Sequence, residues 1–216
     1  MRHLQQRKWR KQIKHAIYYF TEHMKIGILA LQGAFIEHVQ MLDSLGIKPS
    51  EVRLPAELQD IDGLIIPGGE STTMLNLMQS FDFIKPLKKL AGRKIPIWGT
   101  CAGLICLAKN VINPDDSHME TLGLMDITVR RNAFGRQVDS FETTLQITAL
   151  QGGPFPAVFI RAPLIERVGG SVEIMARLSG GEIVAAAQGK LLATSFHPEL
   201  TGDARLHSYF AGMAAN

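Results

Sequence analysis

The sequence is poor in cysteine. It holds two in 216 residues, Cys101 and Cys106, which stand five positions apart. Because no second pair accompanies them, the sequence supports neither a disulfide framework nor a zinc site built on cysteine. We therefore expect both thiols to be free and the protein to belong to a reducing cytoplasm.

Long apolar runs are also missing. No segment approaches the ~18 residues of a membrane span, and the basic stretch 1–23 has no small-residue cleavage site, so we expect neither membrane anchor nor signal peptide. We interpret residues 1–23 as an N-terminal extension or tag and residues 24–216 as one domain, since Met24 directly precedes the first predicted strand. An alternative for the extension is a basic amphipathic helix that lies on a partner or membrane.

Positive charge is scarce outside that extension. The whole chain carries 23 Lys and Arg against 20 Asp and Glu, a net charge of +3. Residues 1–24 hold six of the basic residues and one acidic residue, which leaves the remainder with a net charge of −2. A mildly acidic domain gives no electrostatic basis for nucleic-acid binding, so we expect no nucleic acid among its partners.

From residue 25 the pattern predicts alternating strands and helices. Near-continuous apolar runs are typical of strands buried on both faces of a parallel sheet, and helical spacing follows each of them. Ser71 is the predicted N-cap of the second helix. The predicted strand-bearing segments are 25–31, 62–71 and 94–99, and the helices that follow them are 35–46, 72–79 and 102–110.

Beyond residue 110 the pattern changes to shorter β segments. Gly-containing turns between short apolar runs over 171–200 predict hairpins, and a helix over 203–213 follows. We predict one α/β domain: a doubly wound, largely parallel sheet with flanking helices and an added antiparallel hairpin region. The other strands predicted in this part lie within 125–132, 140–150 and 156–163.

The segment "GTCAGL" (99–104) has the spacing of a nucleophile elbow. Gly99 and Gly103 flank Cys101, and small residues let a strand and a helix approach closely at a sharp turn. A cysteine at the start of a helix is exposed to free N–H groups that favour its thiolate form. We expect Cys101 to be a nucleophile, and Cys106 to be a core residue; a buried, inert Cys101 is the alternative.

Among seven histidines, His197 in "SFHPEL" (195–200) is the candidate base. Pro198 favours an extended backbone at His197, and residues two apart in an extended segment project to the same side. Glu199 can then hold the imidazole and stabilise its charged form. His38, His118 and His207 lie in helical or loop segments without an evident partner, so we interpret them as surface or packing residues.

The segment "PGGES" (67–71) completes a candidate site. Successive N–H groups of a Gly-Gly turn can bind an anion, so Gly69 together with the N–H of Ala102 could stabilise a tetrahedral oxyanion. Taken alone, the segment is also explained as a tight turn that closes a strand.

With these motifs in place, the chain resembles the class I glutamine amidotransferases of the triad type. "LALQGAFIEH", "LIIPGGESTTM", "RRNAFGRQVDSFE", "VFIRAP" and "SFHPELTGD" are similar, in that order, to glutaminase subunits of pyridoxal 5′-phosphate synthase. The resemblance covers roughly residues 24–213. It implies that the protein hydrolyses L-glutamine without a metal or organic cofactor and passes ammonia to a separate synthase subunit for vitamin B6 biosynthesis.

The resemblance also implies site residues. Cys101 would be the nucleophile, His197 the base and Glu199 the residue that orients it. Without the resemblance, the two arginines named below would be interpreted as surface ion-pair residues and Glu70 as a helix N-terminal contact. The implied substrate contacts are Gly69, Glu70, Ser71, Arg131, Ile160 and Arg161.

Gly33 in "LQGAF" is a candidate switch. It follows the first predicted strand at the sheet edge where α/β folds bind ligands, and a glycine peptide can reorient at low steric cost. We expect docking of the synthase to turn the Gln32–Gly33 peptide so that it helps to complete the oxyanion site; the alternative is that Gly33 only permits a tight turn. Two rival functions remain open: a glutaminase of another amidotransferase pathway, or a non-catalytic redox sensor that uses Cys101.

Overall fold

The computed structural model describes residues 24–112, 119–131 and 140–215. Residues 1–23 lie outside these ranges, so the interpretation of that segment as an extension or tag stays a prediction. His118 and positions 132–139 of the "RRNAFGRQVDSFE" block also lie outside the described residues.

The described residues form five α-helices, twelve strands and two short 3₁₀ turns. The helices are α1 (Phe35–Ser44), α2 (Ser71–Ser80), α3 (Ile84–Gly92), α4 (Ala102–Leu107) and α5 (Arg205–Ala215), and the 3₁₀ turns are Pro55–Asp60 and Pro198–Leu200. The strands are β1 (Lys25–Leu29), β2 (Lys48–Val52), β3 (Gly63–Ile66), β4 (Ile97–Thr100), β5 (Ala108–Ile112), β6 (Met125–Arg130), β7 (Ser140–Leu145), β8 (Phe155–Ile160), β9 (Leu164–Val168), β10 (Glu173–Arg177), β11 (Ile183–Gln188) and β12 (Leu191–Thr194).

Ten of these strands form one sheet. Its order is β2-β1-β3-β4-β12-β11-β9-β6-β5, with β10 paired to β11. The pairs from β2 to β12 along this order are parallel, whereas β12–β11, β11–β9 and β9–β6 are antiparallel. Strands β7 and β8 form a separate antiparallel pair. This arrangement is the predicted α/β sheet with an added antiparallel region.

Helices cover both faces of the parallel part of the sheet. Leu64 and Ile66 of β3 pack in one apolar cluster with residues of α2, α3 and α4. Ile65, between them, packs in a second cluster with residues of α1 and α5. Successive side chains of a strand point to opposite faces, so a strand buried on both faces is apolar throughout, as the sequence of β3 predicts.

Two local predictions need correction. The helix predicted over 102–110 ends at Leu107, because residues 108–112 pair with β6 as strand β5. Ser71 is not the N-cap of α2: Glu70 occupies that position, and its carboxylate accepts hydrogen bonds from the N–H groups of Thr72 and Thr73. Strand β2 was not predicted, since an edge strand with the sequence KPSEV lacks an apolar run.

Candidate active site

The candidate site lies where three neighbouring parallel strands end. Strand β4 lies between β3 and β12, with Ile66 opposite Gly99 and Thr194 opposite Thr100. The segments that follow these strands therefore start at the same edge of the sheet. They carry the Pro-Gly-Gly turn, Cys101 and His197, which brings the three parts of the predicted site together.

The predicted elbow is present at Cys101. Its backbone has φ 48° and ψ −103°, a conformation that non-glycine residues rarely adopt. A Cβ on Gly103 would lie 2.0 Å from the carbonyl oxygen of Ile66, and one on Gly99 would lie 2.4 Å from the carbonyl oxygen of Gly103. Only glycine fits at these two positions, because the strand and helix backbones are in direct contact. Strain at a turn of this kind is typical of functional sites.

His197 is held by Glu199 as predicted. Nδ1 of His197 lies 2.7 Å from Oε1 of Glu199, and both residues are buried. The geometry differs from the expected extended segment, since Pro198–Leu200 forms a 3₁₀ turn that folds the carboxylate back towards the ring. The N–H of His197 also donates to the carbonyl oxygen of Val158, which fixes the residue against β8.

Two partners raise the basicity of His197. Burial lowers the pKa of the imidazole, but interaction with the Cys101 thiol and the hydrogen bond with Glu199 outweigh burial and raise the pKa to about 10. Nε2 of His197 is buried and makes no hydrogen bond of ordinary geometry with the described residues. An imidazole in these surroundings favours its charged form.

The Pro-Gly-Gly turn packs directly on the base. A Cβ on Gly68 would lie 2.3 Å from Cε1 of His197, so the imidazole rests against bare backbone there. Gly33, with φ +95°, packs against the same turn, and a Cβ there would lie 1.8 Å from the carbonyl oxygen of Gly68. The side-chain oxygen of Gln32 accepts a hydrogen bond from the N–H of Glu70 at 3.0 Å. The predicted switch segment and the predicted oxyanion turn are therefore in contact.

The predicted substrate contacts lie in different environments. Glu70 caps α2 and lies 3.2 Å from the guanidinium of Arg131, so the helix contact and the ion pair considered as alternatives are both present. Ser71 is buried. Sγ of Cys101 lies 3.9 Å from the carbonyl oxygen of Ile160. Arg161 is exposed and has φ 41°.

Sequence reasoning missed two residues beside the triad. His38 and His207, predicted to be surface or packing residues without a partner, are fully buried and lie 2.8 Å apart through Nδ1 and Nε2. Nε2 of His38 lies 3.4 Å from Oε2 of Glu199. Helical periodicity could have indicated the burial, because His38 stands four residues before Leu42 and His207 stands three before Phe210.

The contact between the turn and the base makes Gly68 sensitive to substitution. We expect Gly68→Ala to lower kcat about 10²-fold, because the new methyl group displaces the imidazole by a distance that matters for proton transfer. Gly92→Ala is the matched control, since nothing lies within 4 Å of a Cβ at Gly92. Steady-state glutaminase assays of both variants check this, and a Gly68→Ala protein with the kcat of the control would contradict the contact's importance.

Comparisons with known proteins identify relatives over most of this chain. The chain is 61% identical over 191 residues to pyridoxal 5′-phosphate synthase subunit PdxT of Dehalococcoides mccartyi (strain ATCC BAA-2266), covering 88% of this chain and 97% of that protein. It is 60% identical to the subunit of the same name from Herpetosiphon aurantiacus, covering 88% and 100%. A solved structure described as a glutamine amidotransferase matches with a TM-score of 0.83 and 46% identity, covering 88% and 99%.

Solved structures with much lower sequence identity share the fold. The Thermotoga maritima PurLQS structure is 16% identical, with a TM-score of 0.65 over 89% of this chain and 95% of that one, and at this identity the likeness concerns the fold alone. The family assignment instead rests on the match that begins in β1 and runs to the end of the chain, over residues 28–216. With an elbow cysteine and a His–Glu pair at the ends of adjacent strands, this chain belongs to the SNO glutamine amidotransferase family.

Proposed function

We propose that Cys101, His197 and Glu199 form the catalytic triad with which this glutamine amidotransferase hydrolyses L-glutamine to L-glutamate and ammonia. The observation that carries the proposal is that a strained elbow cysteine and a buried His–Glu pair follow adjacent parallel strands, with the ring and carboxylate of the pair 2.7 Å apart. A nucleophile, a base and a residue that orients the base are the three parts that covalent acyl transfer needs.

The reaction proceeds in two steps. The Cys101 thiolate attacks the side-chain carboxamide carbon of glutamine, and the C–N bond breaks as His197 gives a proton to the departing ammonia. This leaves a γ-glutamyl thioester on Cys101. His197 then takes a proton from water, the water attacks the thioester, and glutamate leaves as the thiol is restored.

The negative oxygen of each tetrahedral intermediate needs hydrogen-bond donors. We assign this role to the N–H groups of Gly69 and Ala102, the latter at the first residue of α4, where N–H groups have no intrahelical acceptor. We assign recognition of the α-amino and α-carboxylate groups of glutamine to the six substrate contacts that the resemblance implies. An arginine suits the carboxylate and a carboxylate suits the ammonium. The assigned residues are Gly69, Glu70, Ser71, Arg131, Ile160 and Arg161.

We further propose that the ammonia passes to the synthase subunit of a pyridoxal 5′-phosphate synthase. The support is that relatives at 54–61% identity carry the name of a subunit of that enzyme. We also propose a cytoplasmic location, for which the support is that Cys101 and Cys106 are both free. Among the described residues, no helix has the length and apolar character needed to cross a membrane.

The rival functions have less support. A glutaminase of another amidotransferase pathway would share the triad, but it leaves the names of the relatives at 60% and 61% identity unexplained. A redox sensor would use Cys101 alone. That role leaves the buried His197–Glu199 pair without a purpose.

We also propose that the isolated subunit is nearly inactive. The Gln32–Gly33 segment contacts the Pro-Gly-Gly turn, so a docked synthase that turns the Gln32–Gly33 peptide can bring one more N–H to the oxyanion site. Loss of one such donor typically costs about 10²–10³ in rate. We expect synthase subunit in excess to raise glutamine turnover by about that factor, as measured by ammonia release.

The same assay tests the function itself. Release of ammonia from glutamine only in the presence of the synthase subunit supports both the activity and the switch. If the isolated chain is already as fast as the complex, the switch is wrong while the glutaminase assignment stands. If no ammonia forms under either condition, the proposed function is wrong.

A further inference from the structure

His38 and His207 form a buried pair behind the triad, and the mechanism above uses neither of them. The side chains come from α1 and α5, and Nδ1 of His38 lies 2.8 Å from Nε2 of His207. Both rings also meet the indole of Trp98, with centroids 5.8 Å and 4.9 Å away. Polar side chains are costly in an apolar core unless they are hydrogen-bonded, so two imidazoles at this position require an explanation.

The pair faces the carboxylate of Glu199. Nε2 of His38 lies 3.4 Å from Oε2 of Glu199 and 3.3 Å from the hydroxyl of Thr100. Oε1 of the carboxylate is paired with His197. Oε2 is buried and makes no hydrogen bond of ordinary geometry with the described residues. A buried carboxylate stays charged only where its oxygens meet donors, and His38 is positioned to supply the second one.

Burial keeps both histidines neutral. Burial, with His207 and His197 nearby, lowers the pKa of His38 well below its usual range, and burial lowers the pKa of His207 to about 3. A neutral imidazole carries one N–H and one bare nitrogen. The direction of the hydrogen bond between the two rings therefore decides whether His38 presents an N–H or a bare nitrogen to the carboxylate of Glu199.

The surroundings favour one direction. If Nε2 of His38 were bare, it could accept from the Thr100 hydroxyl, but its lone pair would also face the Glu199 carboxylate at 3.4 Å. His207 would then carry its proton on Nδ1, which is buried and has no partner among the described residues. The opposite direction removes both conflicts, because Nε2–H of His38 points towards the carboxylate and only a bare nitrogen of His207 is left unpaired. An unpaired buried N–H is the more costly of the two choices.

We propose that His38 and His207 are positioning residues that act on the reaction through Glu199. His207 donates Nε2–H to Nδ1 of His38. Nε2–H of His38 then lies between the Thr100 hydroxyl at 3.3 Å and Oε2 of Glu199 at 3.4 Å, and both oxygens share it. The carboxylate thereby stays oriented towards Nδ1 of His197, which leaves Nε2 of that ring free to exchange a proton at Cys101. The proposal rests on the proposed function, because it depends on Glu199 being part of the triad.

The first test asks whether His38 acts as a hydrogen-bond donor or only fills space in the core. In the complex with synthase subunit, we expect His38→Leu to lower kcat about tenfold, the effect of removing a hydrogen bond to a charged group. KM should stay within about twofold, since glutamine does not touch this residue. His38→Gln, whose amide can place an N–H where Nε2 lies, should recover most of the kcat. Equal kcat losses in His38→Leu and His38→Gln would contradict the donor role.

A double-mutant cycle tests whether His38 acts through Glu199. In the Glu199→Gln background, His38→Leu should change kcat less than twofold, because the charged group that it serves is gone. A tenfold loss in that background as well would show an independent, structural effect and overturn the proposal. Leu42→Ala, at another buried position on α1, is the control: it should lower the unfolding midpoint without changing kcat.

A measurement on the unmodified chain avoids any variant that fails to fold. Imidazole ¹⁵N NMR distinguishes a proton on Nδ1 from one on Nε2. We expect His38 and His207 both to be neutral with the proton on Nε2, and a proton on Nδ1 of His38 would overturn the proposal. Loss of activity in Cys101→Ala is an independent check of the proposed function: if that variant is inactive while His38→Leu keeps the wild-type kcat, only the positioning role fails.

Discussion

Replacing Cys101 with alanine is expected to abolish glutamine hydrolysis, with a loss of kcat on the order of 10⁴ to 10⁶. The thiol supplies the atom that bonds to the substrate carbon, and no neighbouring group can replace it. The fold should survive, since alanine is smaller than cysteine and adds no atom at the elbow. Ammonia release in the presence of saturating synthase subunit measures the effect, and a melting curve confirms that the variant is folded.

Cys106→Ala provides the matched control. Cys106 lies five residues further along, in α4, and is fully buried. Burial raises the pKa of the Cys106 thiol to about 12, so it remains protonated and unreactive at neutral pH. We expect this variant to keep its activity, whereas substantial turnover by Cys101→Ala would show that the nucleophile is misassigned.

Replacement of the base and of its partner should have unequal effects. We expect His197→Ala to lower kcat by about 10⁴ or more, and Glu199→Gln to be roughly 10²-fold less severe, since orienting a base is a smaller task than being one. The glutamine side chain can still accept from Nδ1 of His197 through its carbonyl oxygen. It cannot supply the negative charge.

The Glu199→Gln variant also has an expected pH signature. The carboxylate helps to raise the pKa of His197, so its loss should lower that pKa. The imidazolium then loses its proton at a lower pH. The basic limb of the pH profile of kcat/KM should therefore move to lower pH. Complete loss of activity in folded Glu199→Gln protein, equal to that of His197→Ala, would mean that Glu199 takes a more direct part in the reaction.

The elbow and the His–Glu pair could be predicted from sequence because their geometry is local. Gly99 and Gly103 flank Cys101 within five residues, and close backbone contact is a sufficient reason for both glycines. Glu199 stands two residues after His197, so any turn or extended segment keeps them near each other. The predicted extended backbone was wrong in detail, yet the contact holds.

Contacts between segments distant in the sequence could not be predicted from the sequence pattern. Strand β12 was predicted only as part of a hairpin region, but it also lies parallel to β4, and that pairing brings His197 to Cys101. The role of Gly68 follows from the same pairing, because nothing near "PGGES" in the sequence indicates that an imidazole packs on it. Such contacts depend on strand order, which local spacing does not determine.

The buried histidine pair was misjudged for a related reason. His38 lies on the face of α1 that packs in the core, and His207 lies on the corresponding face of α5. Each histidine is a polar residue at a position where helical spacing predicts a buried, apolar side chain. The partner that satisfies it is 169 positions away, so sequence could indicate burial but not the pairing with Glu199.

Trapping the covalent intermediate tests directly whether Cys101 is the nucleophile. The complex is mixed with glutamine and quenched in acid within one turnover, and the peptides are then analysed by mass spectrometry. We predict a γ-glutamyl group on the peptide that contains Cys101, absent from Cys101→Ala and unchanged in Cys106→Ala. Ammonia release with no acyl group on Cys101 at any quench time, or an acyl group on another residue, would contradict it.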